Sequence, residues 1–85
     1  MDRIEPPFPY ELDGYRYIGR GPSESGWDRS PELAYRCVQC GDLMPADYSD
    51  YFNCQCGAMN LDVGYSRFGS NFGDHNILVY EKRRA

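Results

Sequence analysis

CVQCGDLMPADYSDYFNCQCG, residues 37–57, contains all four cysteines of the 85-residue chain. The stretch begins with Cys37-Val38-Gln39-Cys40-Gly41 and ends with Cys54-Gln55-Cys56-Gly57. In a C-x-x-C turn both sulfurs point into the turn, and a following glycine eases the backbone geometry that the turn requires. Two such pairs can supply the four converging ligands of a tetrahedral zinc site.

The second pair is one residue shorter than the first. Residues i and i+2 of an extended chain point the same way, so Cys54 and Cys56 can still present both sulfurs to one ion. The intervening segment, residues 41–53, is long enough to bring the two pairs together. The sequence therefore predicts one structural Zn²⁺ ion held by Cys37, Cys40, Cys54 and Cys56.

Other uses of these cysteines remain open at this point. They include disulfides, a redox-active C-x-x-C and a rubredoxin-like iron site. If Cys54 or Cys56 were not a ligand, His75, the single histidine, is the alternative fourth ligand. A catalytic zinc keeps one open coordination position, whereas four cysteines close the site. We therefore expect that the protein is not an enzyme.

The order of motifs resembles the zinc-ribbon and rubredoxin-like class of zinc-knuckle domains. It runs from a strand through CVQCG, a loop, a second strand and CQCG to a third strand. The resemblance covers about residues 34–82, and only the cysteine–glycine motifs in it are specific. It implies a structural zinc on a small antiparallel sheet. The class includes nucleic-acid binders, protein-binding modules and subunits of larger machines, so the resemblance implies no single function. The shortened second pair departs from the usual double C-x-x-C pattern.

The expected fold is small, mainly β and zinc-stabilised, because a chain of this length buries only about 60% of its unfolded surface. We expect residues 34–85 to form the zinc-ribbon-like antiparallel sheet. Residues 1–33 should contribute an extended arm, a hairpin and a loop that pack on it. Pro6, Pro7 and Pro9 keep the arm extended, either loose or pinned to the body.

Asp13-Gly14 is a turn signal that predicts the hairpin within residues 10–19. Segments 34–37 and 51–54 are predicted strands, and 41–50 an exposed loop. Alternation of Met59, Leu61, Val63 and Tyr65 predicts a strand with one apolar face. The continuous apolar run within residues 76–81 predicts a strand buried on both faces.

The formal net charge is −4, and the basic run Lys82-Arg83-Arg84 leaves the rest of the chain more acidic still. Such a surface repels phosphate backbones and suits a basic protein partner, although solubility alone also explains it. Tyrosine is enriched at protein interfaces, so the tyrosines beside the aspartates of residues 41–51 are candidate contacts. Trp27 either folds back onto the core or is an exposed contact. The candidate partner-binding residues are Trp27, Asp47, Tyr48, Asp50 and Tyr51.

These observations predict a zinc-stabilised protein-interaction module, one version being an inhibitor or immunity-type protein that neutralises a basic enzyme such as a nuclease. The first alternative is a nucleic-acid-binding zinc ribbon, in which Tyr65, Phe68 and Phe72 beside Arg67 stack on bases. The second is a redox or metal-handling protein. The N-terminal residues lack the apolar region of a signal peptide, and no run reaches membrane-spanning length. We therefore expect a cytoplasmic protein without a membrane partner.

Overall fold

The computed structural model describes residues 3–22, 26–62 and 67–83, and every structural statement below refers to these ranges. The predicted mainly-β class is confirmed: they contain seven strands and one short 3-10 helix, Asp74–Asn76. The strands are β1 (Tyr15–Arg20), β2 (Leu33–Cys37), β3 (Leu43–Pro45), β4 (Phe52–Asn53), β5 (Met59–Asp62), β6 (Arg67–Ser70) and β7 (Ile77–Lys82).

The strands form two antiparallel sheets, one in the order β1-β7-β2-β3 and the other in the order β4-β5-β6. The last strand of the chain, β7, thus lies in the interior of the larger sheet, between β1 and β2. Ile77, Leu78 and Tyr80 are 0% exposed. The prediction that this apolar run is buried on both faces is confirmed, because only an interior strand covered on both sides hides consecutive side chains.

Each face of the larger sheet has its own cover. On one face, Tyr35 and Ile77 belong to an apolar cluster with Met59 and Leu61 of the smaller sheet. On the other face, Leu78 and Tyr80 cluster with side chains of the N-terminal segment, including Ile4, Phe8, Tyr10 and Leu12. The larger sheet is therefore the middle layer of the fold, between the smaller sheet and the N-terminal arm.

The proline-rich arm is pinned to the body, which was one of the two states left open by the sequence. The Ile4 amide donates to Oδ1 of the buried Asn76 at 2.8 Å. The Phe8 ring lies against the Arg36 guanidinium, 3.9 Å from ring centroid to guanidinium carbon. The Tyr80 hydroxyl donates to the Tyr10 carbonyl at 2.6 Å. Side chains thus fasten a segment whose prolines cannot donate ladder hydrogen bonds.

The predicted turn at Asp13-Gly14 is present, but little of the hairpin is. Gly14 has φ +83°, and the Tyr15 amide donates to the Leu12 carbonyl at 3.0 Å. This Leu12–Tyr15 bridge is the only pairing between the two sides of the turn in the described residues. Beyond it, β1 pairs with β7. An interior strand offers β1 a complete ladder, whereas the arm that precedes the turn is interrupted by Pro9.

The prediction of an exposed loop over residues 41–50 is wrong in its middle. Residues 43–45 form β3 against β2, and Met44 and Ala46 are 2% and 1% exposed. Pro45 is compatible with this because β3 is an edge strand, where a missing amide proton is tolerated. The exposed part of the segment is shorter and includes Asp47 and Asp50.

The alternation predicted for the strand after the second cysteine pair is confirmed at Met59 and Leu61, which are buried, while Val63 and Tyr65 lie outside the described residues. The division into 1–33 and 34–85 stays a prediction, although β1 and β7 share one sheet. Among the described residues, no helix has the length and apolar character needed to cross a bilayer.

Candidate metal centre

The first cysteine pair occupies the turn that joins β2 to β3. Cys37 ends β2, and its amide donates to the Asp42 carbonyl at 2.9 Å. The Gly41 amide donates back to the Cys37 carbonyl at 3.1 Å. Gly41 has φ +79°, a left-handed conformation that residues with a Cβ rarely adopt. A Cβ at this position would also lie 3.3 Å from the Phe8 ring, so the glycine lets the arm approach the turn.

The second cysteine pair occupies the equivalent turn between β4 and β5. The Cys54 amide donates to the Met59 carbonyl at 3.0 Å, and the Gly57 amide donates to the Cys54 carbonyl at 2.9 Å. Gly57 has φ +77°, so each motif closes with a left-handed glycine. The expectation that C-x-C chelates from an extended strand is wrong, because Gln55 and Cys56 lie in a turn. That turn converges the sulfurs even though it is one residue shorter.

The four sulfurs converge on one point. All four lie within 4.8 Å of one another, and the Cys37–Cys56 and Cys54–Cys56 Sγ–Sγ distances are both 3.5 Å. A disulfide requires about 2.05 Å, and all four cysteines are free thiols here. Sulfurs at the corners of a tetrahedron around a zinc ion, with Zn–S near 2.3 Å, stand about 3.8 Å apart. The cluster therefore has the donors and the spacing to hold a metal ion.

Backbone amides donate hydrogen bonds to two of these sulfurs and so stabilise negative charge on them. The Met59 amide donates to Cys54 Sγ at 3.1 Å, and the Gln39 amide donates to Cys37 Sγ at 3.4 Å. Burial nevertheless raises the pKa of the Cys37 thiol, since desolvation disfavours the charged form and outweighs the amide donors. A bound cation reverses this balance, because coordination deprotonates the thiol.

Asp42 ties the two cysteine turns together, a role that the sequence analysis missed. It follows the first turn directly, and its Oδ2 accepts the amide of Gln55, between the second pair of cysteines, at 2.6 Å. Groups that orient metal ligands without touching the metal are a regular part of such sites. The signal in the sequence was an aspartate immediately after C-x-x-C-G, but the loop contains other aspartates and nothing in its pattern distinguishes this one.

His75 is not a member of the cysteine cluster. It is exposed and lies in the 3-10 helix that precedes β7. The cluster of potential ligand atoms consists of the four cysteines and does not include His75. The geometry of the described residues therefore favours the four-cysteine set over the alternative with histidine.

The predicted contact residues divide into a buried and an exposed group. Trp27 folds back onto the core, with its ring centroid 4.9 Å from that of Tyr35 and 4.8 Å from that of Phe68. Tyr48 is half-buried and packs edge-on against Phe52 at 5.9 Å. Asp47, Asp50 and Tyr51 are exposed.

The exposed group lies on an anchored segment, which we call the acidic loop (residues 47–51). The Arg29 guanidinium donates to the Tyr48 carbonyl. The Tyr48 amide donates to the Pro45 carbonyl at 3.1 Å, and the Tyr51 amide donates to Asp50 Oδ1 at 2.8 Å. Tyr51 remains 62% exposed. The acidic loop thus holds a ring and two carboxylates at the surface.

The aromatic residues proposed for base stacking are engaged elsewhere or lie outside the described residues. Phe68 packs between the two sheets against Trp27 and Tyr35, and Phe72 is half-buried against both apolar clusters. Tyr65 lies outside the described residues.

A scan against protein-family models, a search of curated proteins and a search of solved structures each found no match to this chain.

Proposed function

We propose that Cys37, Cys40, Cys54 and Cys56 hold one structural Zn²⁺ ion, as in zinc-ribbon-like knuckle domains. Support comes from the convergence of four sulfurs from two similar turns, each closed by a left-handed glycine. Four soft thiolate donors favour zinc or iron over magnesium or calcium. Metal analysis of the purified protein tests the assignment: colourless protein with about one zinc per chain is expected, whereas a coloured iron protein would contradict it.

The ion's role follows from where its ligands lie. One pair belongs to the β2–β3 turn of the larger sheet and the other to the β4–β5 turn of the smaller sheet. The metal therefore links the two sheets of a chain whose apolar core is small. Four protein ligands leave no position for substrate, so the zinc is structural and the protein is not a zinc enzyme.

We further propose that this zinc-stabilised protein binds a basic protein through the acidic loop. The observation that carries the proposal is the exposed side chain of Tyr51 on the same anchored loop as the exposed Asp47 and Asp50. An ordered loop loses less conformational entropy on binding, and tyrosine supplies contact area with few rotatable bonds. The acidic balance of the chain speeds association with a positively charged partner. An inhibitor or immunity-type protein that covers the basic surface of a nuclease is the version we favour.

Charge reversal in the acidic loop is the direct test of this proposal. We expect Asp47→Lys/Asp50→Lys to weaken retention of a basic partner by at least about tenfold in affinity capture, because it opposes like charges across the interface. Zinc content should not change, since neither residue belongs to the cysteine cluster. The captured protein is then identified and its binding measured against salt concentration.

The control places the same change of net charge elsewhere. Glu11 and Asp13 are exposed beside the arm turn, and Glu11→Lys/Asp13→Lys matches the loop variant in charge. This control should retain the partner as the unaltered protein does. Equal losses in both variants would show a non-specific effect of net charge and would contradict the acidic loop as the binding surface.

Asp42 is expected to set the metal affinity from outside the coordination sphere. Asp42→Ala removes the acceptor of the Gln55 amide and should lower zinc affinity by about 10- to 100-fold, the usual range for residues that orient ligands. Competition with a chromophoric chelator measures it. Asp42→Asn keeps an oxygen acceptor and should recover most of the affinity. Equal affinity in the alanine variant would show that the turns converge without this link.

The nucleic-acid alternative predicts a different ligand. It requires salt-dependent binding of single-stranded RNA or DNA. Phe68 and Phe72 are half-buried against the apolar clusters, which leaves less of their rings free for stacking and makes this alternative the weaker one. The metal analysis, together with the rate at which zinc exchanges, distinguishes the redox or metal-handling alternative from a structural zinc site.

A further inference from the structure

The cysteine cluster is unequally exposed. Cys37 and Cys54 are 2% and 4% exposed, and Cys40 is intermediate, whereas Cys56 is exposed. From these residue exposures we expect the sulfur of Cys56 to be the first that a dissolved reagent reaches. That sulfur is also the one that lies 3.5 Å from both buried sulfurs, Cys37 Sγ and Cys54 Sγ. The accessible member of the cluster thus has disulfide partners already in contact with it.

We propose that the metal centre is a peroxide-sensitive switch, in which Cys56 is oxidised first and then forms a disulfide with Cys37, releasing the zinc. This inference rests on the proposed zinc site. It assigns a different chemistry to each ligand: Cys56 is the group attacked, Cys37 is the resolving thiol, and Cys40 and Cys54 are left behind.

The chemistry proceeds in two steps with hydrogen peroxide as the oxidant. The Cys56 thiolate attacks one peroxide oxygen, an S–O bond forms, the O–O bond breaks and hydroxide leaves. The Cys37 thiolate then attacks the sulfur of Cys56, an S–S bond forms, the S–O bond breaks and a second hydroxide leaves. The two thiolates lose two electrons in total, and peroxide is reduced to two hydroxide ions that take up protons as water.

Cys37 is the favoured resolving thiol over Cys54, although both sulfurs lie at the same distance from Cys56. A Cys54–Cys56 disulfide would close a small ring across a single residue, and strained disulfides are the more easily reduced. A Cys37–Cys56 bond instead joins the β2–β3 turn to the β4–β5 turn. It replaces the metal as the link between the two sheets, so the oxidised protein keeps one connection there.

The loss of zinc follows from the ligand count. Once Cys37 and Cys56 share a disulfide, only Cys40 and Cys54 remain as thiolates, and two ligands cannot complete a tetrahedral structural site. Zinc release and disulfide formation should therefore advance together. The acidic loop connects β3 to β4 and so lies, along the chain, between the two cysteine turns.

Peptide mapping of the zinc-loaded protein after peroxide treatment tests the proposal. Cleavage on the N-terminal side of aspartate cuts before Asp42 and Asp50, which separates the first cysteine pair from the second. A Cys37–Cys56 bond then appears as two peptides linked to each other and located by fragmentation. Bonds within either pair stay inside one peptide. We expect the linked peptides to accumulate in step with zinc detected by a chromophoric chelator.

Labelling kinetics supply a measurement that needs no variant. A brief pulse of N-ethylmaleimide on the zinc-loaded protein should label Cys56 at least about tenfold faster than the buried Cys37 and Cys54. First labelling at Cys40 or equal labelling of all four would overturn the order of attack.

The outcomes separate this inference from the zinc assignment. Protein purified without zinc contradicts the proposed site and the switch together. Protein that contains zinc but gives a disulfide within one pair, or releases zinc without a disulfide, contradicts the switch alone and leaves the structural zinc in place.

Discussion

Replacement of Cys37 by serine is expected to unfold the protein at 25 °C and to abolish zinc binding. In small zinc domains the binding free energy, about 10–16 kcal/mol in zinc-finger peptides, is also folding free energy. The total stability of a small domain is only about 5–15 kcal/mol, so losing the metal exceeds what the remaining contacts can supply. Cys37 is a suitable choice because its side chain is buried in the apolar cluster as well as in the cysteine group.

Circular dichroism and metal content measure this result, and the chain offers a close control. Gln39 lies between the first pair of cysteines and is exposed, so Gln39→Ser makes the same kind of change in the same turn without removing a sulfur. It should keep both zinc and fold. Chelation of zinc from the unaltered protein should reproduce the unfolding seen in Cys37→Ser. A Cys37→Ser variant with a native spectrum and about one zinc per chain would refute the ligand assignment.

Replacement of Tyr80 by alanine is expected to have the largest effect away from the metal. Its ring is 0% exposed in the interior strand β7 and meets the ring of Tyr17 at 5.6 Å. Its hydroxyl donates to the Tyr10 carbonyl at 2.6 Å and accepts a hydrogen bond from Arg36 at 3.1 Å. Truncating a buried aromatic ring costs about 3–5 kcal/mol, which lowers the Tm of a domain of this size by at least about 12 °C.

Two further variants divide that effect between the ring and the hydroxyl. Tyr80→Phe keeps the ring and removes only the hydrogen-bonding group, so a loss of about 1–3 kcal/mol is expected. Tyr51→Ala removes the same side chain at a 62% exposed position and should change stability by less than about 0.5 kcal/mol. All melts are compared with zinc in excess. A Tyr80→Ala protein as stable as Tyr51→Ala would show that the arm does not cover this face of the sheet.

The cysteine cluster was accessible from the sequence because the convergence of each cysteine pair is a local property. Each pair lies within one turn, and a glycine after the pair marks the left-handed residue that closes it. Asp42 was not accessible in the same way. Its hydrogen bond with the Gln55 amide joins two turns that meet only after folding. Nothing about an aspartate in a polar loop indicates that it has such a partner.

Strand pairing could likewise be predicted from the sequence only in part. The apolar run of β7 predicted a strand buried on both faces, since that property depends on residue type alone. The partner of β1 was wrongly expected nearby in the chain. Local turn chemistry favoured a hairpin at Asp13-Gly14, but the long-range ladder with β7 offers β1 more hydrogen bonds than the arm does.

The amino-acid sequence by itself determined the mainly-β class, the candidate metal ligands and the buried terminal strand, because these follow from spacing and residue type over a few neighbouring positions. Only the tertiary structure decided which strands meet, that Trp27 turns inward, and that Cys56 is the exposed member of the cysteine cluster. Those features depend on which surfaces cover one another. That choice is made by burial of apolar area between segments far apart in the chain, and local pattern carries little information about it.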